Sequence, residues 1–165
     1  MKLLTLALCG TLLFSECQSD WAKDRVWFTM TEEQRYEAPI EYKARSVGMT
    51  IEEFDLFSSV VEAESDRSNN LEGRILIAET ILNRVADSRF PDNIIDVCCQ
   101  PGQFSVVSNG RVWSVGRTNL SDRAVIEAVR RMELGEAPNV LYFNCIGYDI
   151  GTAYCYEGGN YFSVA

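Results

Sequence analysis

The chain has 165 residues, of which 47% are apolar and 24% charged, and a formal net charge of −9. That length fits one domain with its own core. The acidity argues against nucleic acid as a partner, because phosphates select clustered Lys and Arg. There is no histidine, so Ser-His-Asp and Cys-His hydrolytic sites and histidine-ligated zinc are excluded; among the common acid-base groups, carboxylates remain.

Residues 1–17, "MKLLTLALCGTLLFSEC", place Lys2 before a twelve-residue apolar stretch, Leu3 to Phe14, with Ser15 and Cys17 at −3 and −1 of a cleavage point. This reads as a secretory signal, better than as a buried helix or a lipoprotein anchor. It is too short for a stable membrane span. Export would leave Cys98, Cys99, Cys145 and Cys155 in an oxidising compartment. Their spacing matches no zinc or C-x-x-C pattern, and sequence does not choose among the pairings. No metal and no cofactor is expected.

Residues 18–49 lack a clear period and read as an N-terminal arm or linker, with room for a short helix. The catalytic domain is expected over 50–165. "TIEE" at Thr50–Glu53 is a capping box opening a helix, with Phe54, Phe57 and Val61 at helical spacing, ending near Glu62–Glu64 before the loop composition "SDRSNN". A second helix is predicted from Leu71 to Asp87 on Ile75, Ala78, Leu82 and Val85, with Pro91 beyond it. Glu79 is read as its polar edge. From Asp92 to Gly116, "QPG" and "SNG" mark turns, while "QFSVV" and "RVW" read as extended pieces. A third helix is predicted with Ser121 as N-cap and Gly135 as terminator. "VLYFN", "AYCY" and "NYFSV" are predicted strands. The sum is an α+β domain, a helical core with a small antiparallel sheet.

A carboxylic acid can cleave a glycosidic bond unaided if it stays protonated near neutral pH. Glu62 is the candidate. Phe57, Val60 and Val61 precede it, the helix C-terminus disfavours its charge, and Glu64 and Asp66 add like charge. Glu64 and Asp66 are themselves expected at the loop surface, as assisting carboxylates. Trp113 and Tyr142 are candidate sugar-stacking aromatics.

Taken in order, "EAESDRSNNLEGRILIAETILNRV", "SRFPDNI", "QPGQFS", "NGRVW" and "LYF" resemble the SleB-type cell wall hydrolases, the spore cortex-lytic group, over about residues 55–163. The resemblance implies a lysozyme-like α+β domain, commonly a lytic transglycosylase cutting peptidoglycan between N-acetylmuramic acid and N-acetylglucosamine. It puts the catalytic Glu on Glu62, acting as both acid and base, and the next motif Glu on Asp66. It implies structural roles for Asn83 and Arg84, sugar contacts for Gln103 and Ser105, and Asn160 where the family has a histidine. The expected partner is the glycan strand, met by a secreted monomer, in a spore-germination or phage-related setting. The alternatives are a hydrolytic muramidase and a non-catalytic glycan-binding module.

Overall fold

The computed structural model describes residues 29–65 and 69–165. The signal segment and Asp66 therefore lie outside the described residues. Helix α1 (Glu32–Tyr36) and α2 (Ile40–Ser46) lead into α3 (Ile51–Glu64) and α4 (Leu71–Ala86), followed by short α5 (Ile94–Cys99), α6 (Ser105–Ser108) and α7 (Arg111–Val115). Helix α8 (Asn119–Leu134) precedes strands β1 (Val140–Asn144), β2 (Thr152–Glu157) and β3 (Asn160–Val164). The expected α+β class holds, with the small sheet late in the chain.

Helix α3 starts where its capping box demands. The Glu53 backbone N–H donates to Thr50 Oγ1 (3.2 Å), and the Thr50 N–H donates back to the Glu53 carboxylate (2.9 Å), satisfying donors that have no intrahelical partner. Phe54, Phe57, Val60 and Val61 of α3 are fully buried against Ile77, Ala78 and Ile81 of α4 and Val125 and Ala128 of α8. Burying each large apolar side chain contributes roughly 1.5–3 kcal/mol. The sheet has strand order β1-β3-β2, all antiparallel, and Val140 and Phe162 carry it onto the same core.

Three local expectations are corrected. "QFSVV" and "RVW" are not extended: they hold α6 and α7, each anchored by one buried residue, Val106 and Val112. A single inward residue generates no period, so β-branched content alone suggested strand. Helix α8 is capped by Thr118, not Ser121; Ser121 occupies N3 and closes a reciprocal box with it. Glu79 is not a polar edge but wholly buried.

The described part of the arm is built into the domain. Lys43 of α2 is 2% exposed and its Nζ lies 2.7 Å from Asp122 Oδ2 at the start of α8. Cys98, Cys99, Cys145 and Cys155 are free thiols, with only Cys98 buried.

Candidate functional site

Glu62 and Glu64 both occupy the last turn of α3. Two residues along a helix turn the side chain by about 200°, so the two carboxyls face nearly opposite ways. Glu62 faces α4 and the start of α8. Arg74 grips it with Nε on Oε2 (3.0 Å) and NH2 on Oε1 (2.8 Å), and Thr118 Oγ1 donates to Oε2 at 2.8 Å. Burial alone would push the Glu62 acidity toward the neutral form, but these hydrogen bonds and the guanidinium charge outweigh it and hold its pKa below the usual value. The desolvation expected from the apolar neighbours of Glu62 is present, but the arginine across the interface, which those neighbours did not reveal, turns the shift the other way.

Glu64 is not on the loop surface either. It is half-buried and lines a cavity of about 470 Å³. Desolvation raises its pKa; the Val106 backbone N–H bond and the charges of Arg111 and Arg84 oppose this without reversing it. Of the described lining residues, Glu64 is the one carboxylate.

Beyond Glu64 and Ser65, the cavity wall comes from three stretches. The first is Gly102 and Gln103 of the turn after α5 with Ser105 and Val106 of α6 and Arg111 of α7. The others are Phe143 to Cys145 at the end of β1 and Gly158 to Asn160 of the β2–β3 hairpin. Asn83 fixes β1 by donating to the Pro138 and Val140 carbonyls, both at 2.9 Å. Arg84 Nε donates to the Leu141 carbonyl at 2.9 Å, and its guanidinium lies 5.3 Å from the Phe90 and Phe104 ring centroids. Phe104 in turn packs on Phe143 with centroids 6.2 Å apart. The hairpin is set by Gly73 at the start of α4, where a Cβ would come within 2.9 Å of Gly158 Cα.

Among the residues singled out from sequence, Glu64, Gln103, Ser105 and Asn160 therefore converge on one cavity. Glu62 points away from it. Trp113, 68% exposed on α7, and Tyr142 are not part of the wall. Sequence reasoning missed Arg111, Asn144 and Cys145; "NGRVW" and "LYFNC" flagged the neighbourhood without saying which side chains turn inward. No cluster of His, Cys, Asp or Glu fit to hold a metal occurs among the described residues.

Comparison with known proteins agrees with this architecture. The Cell Wall Hydrolase family model matches residues 68–148. A spore cortex-lytic enzyme of Halalkalibacterium halodurans is 32% identical over 113 residues, covering 66% of this chain and 32% of that protein. One from Oceanobacillus iheyensis is 28% identical over 96 residues, 58% of this chain and 33% of that protein. The chain thus spans about a third of the length of these relatives. The SleB catalytic domain of Bacillus cereus superposes with TM-score 0.58 at 25% identity, covering 70% of this chain and 92% of that one. The catalytic domain of the germination-specific lytic transglycosylase SleB of Bacillus anthracis gives TM-score 0.59 at 22% identity, covering 70% and 97%.

Proposed function

We propose that this chain, a SleB-type cell wall hydrolase in sequence and in fold, cleaves peptidoglycan glycan strands between N-acetylmuramic acid and N-acetylglucosamine with Glu64 as its acid and base. The observation that carries the reading is the position of Glu64 in the cavity wall, with burial favouring its protonated form. A protonated carboxyl there donates to the glycosidic oxygen as the bond to C1 breaks. The now ionised Glu64 then takes the proton of the sugar's own 6-hydroxyl as that oxygen closes on C1. The products are a 1,6-anhydro end and a new 4-hydroxyl, with no water consumed.

What supports ring closure over hydrolysis is that, among the described residues, Glu64 is the one carboxylate lining the cavity. An inverting hydrolase sets a second carboxylate roughly 6.5–9.5 Å from the acid to activate water. Glu62, two residues before Glu64, is already held by Arg74 and Thr118 on the other side of α3. Spore cortex is the wall we favour, because the relatives from Oceanobacillus and Halalkalibacterium are spore cortex-lytic enzymes.

The test is mass spectrometry of products from purified sacculi with wild type, Glu64→Gln and Glu62→Gln. Anhydro ends from wild type and none from Glu64→Gln are expected, with sacculus binding retained. Reducing ends would make the enzyme a muramidase. Binding without cleavage by wild type would make it a glycan-binding module.

A further inference from the structure

Arg111 is the one cation among the described residues that line the Glu64 cavity. Its backbone is fixed: Gly110 before it has φ +76°, and the Arg111 N–H donates to Asn109 Oδ1 at 2.9 Å. Its guanidinium has no hydrogen bond or ion pair among the described residues. Other arginines are occupied: Arg74 by Glu62, Arg117 by Asp122, Arg130 by Glu127 and Arg131 by Glu72. Among the described residues, the carboxylate whose charge Arg111 faces is that of Glu64 across the cavity. Arg111 thus opens onto the cavity that holds the acid.

We propose that Arg111 is a carboxylate-binding subsite for the lactyl arm of the muramic acid residue seated beside Glu64, an assignment that rests on the glycan-cleavage reading. A guanidinium presents two parallel N–H donors that match a carboxylate, and muramic acid differs from its glucosamine neighbour in carrying that arm. The carboxylate is either the free lactyl acid or one on the stem peptide joined to it. The site also couples to catalysis. Empty, Arg111 favours ionised Glu64; a bound carboxylate cancels that charge and leaves the acid better protonated. The strand would thus help load the proton used to cut it.

The experiment is calorimetric titration in a Glu64→Gln background, with and without Arg111→Gln. Ligands are peptide-free strands and peptide-bearing strands, each as free acid and as methyl ester. Arg111-competent protein is expected to bind the free acid about tenfold more tightly than the ester, the size of one charge-assisted hydrogen-bonded contact, and Arg111→Gln to lose that preference. Preference seen with peptide-free strands assigns the lactyl acid, and preference confined to peptide-bearing strands assigns the stem. Equal binding of acid and ester, or a preference that survives Arg111→Gln, overturns the subsite. Failure to bind any strand overturns both the subsite and the cleavage reading. An intact acid preference in a protein that never cleaves overturns the cleavage reading alone.

Discussion

Arg74 and Glu62 form a two-point pair across the α3–α4 interface, with Arg74 3% and Glu62 13% exposed. Removing one member of so enclosed a pair leaves the other charge unpaired, which costs about 3 kcal/mol. Arg74→Met is therefore expected to shift the urea midpoint down by that equivalent, and Glu62→Gln/Arg74→Met to recover most of it. The depressed Glu62 pKa fixes the pH sense. Its contribution is present above the ordinary carboxylate value and is lost as pH falls through the lower folded value. Denaturation below pH 4 should therefore show wild type losing its advantage over the double variant.

Glu64 is expected to respond in the opposite way. Its folded pKa is raised, so its stability contribution is complete below the ordinary carboxylate value and declines as pH rises. Glu64→Gln should then unfold no earlier than wild type at pH 7, while cleavage of sacculi falls by about 10²–10⁴-fold, the range for losing a general acid. A Glu64→Gln protein that still turns over, or one that loses its fold, removes Glu64 from this role.

The contrast shows what the sequence could and could not carry. Thr50 and Glu53 announced the start of α3 because a capping box is local. The structural role of Asn83 and Arg84 came instead from the family resemblance, since the carbonyls they hold lie 55 and 57 residues away. In "EAES" the resemblance puts the motif Glu on Glu62, but which carboxyl meets Arg74 and which meets the cavity depends on the helix face each occupies. That is decided by residues 10 and 54 positions away from Glu64, Arg74 and Thr118. Glu79 was misread for a related reason. Helix α4 is covered by α8 on one side and by the sheet on another, so its one interior carboxyl has no solvent face.

Glu79 predicts a second pH effect. Burial raises its pKa to about 7, although Arg131 stands 3.6 Å away. Arg131 is shared, because Glu72 takes it at 2.7 Å and Glu127 at 3.5 Å. Tyr154 and Cys155 of β2 also feel Glu79. Its contribution is whole below about pH 4.5 and fades as pH rises through about 7, a loss on the order of 3 kcal/mol when complete. Urea midpoints at pH 5 to 8 should fall in wild type and stay flatter in Glu79→Gln. Parallel curves would show that Glu79 is not the titrating group.

Lys43 makes a prediction about where the domain can be cut. A chain beginning at Thr50 loses the Lys43 contact to Asp122, which is fully buried and keeps Arg117 as its other cation. Destabilisation of about 1–3 kcal/mol is expected, milder than for a wholly orphaned charge because Arg117 remains. Asp122→Asn should recover part of it in the shortened chain and none in the full one, as read by thermal unfolding.

Gly73 links the start of α4 to the cavity wall. A Cβ there would lie 2.9 Å from Gly158 Cα and 3.3 Å from Gly158 N, and these are backbone atoms that cannot rotate aside. Gly158 cannot easily yield, since its φ of +53° is costly for any other residue and its own Cβ would sit 3.0 Å from Gly73 Cα. Gly73→Ala must therefore push the β2–β3 turn away from α4, and with it Gly159 and Asn160 of the wall. Overpacking of this kind costs about 1–3 kcal/mol, less the helix propensity that Ala gains over Gly, about 1 kcal/mol. The net stability change should be small while glycan cleavage falls sharply, because the displacement is concentrated at the cavity. Measuring the thermal midpoint and turnover on the same preparation separates the two. Full activity with an unchanged midpoint would mean that the hairpin does not set the shape of the site.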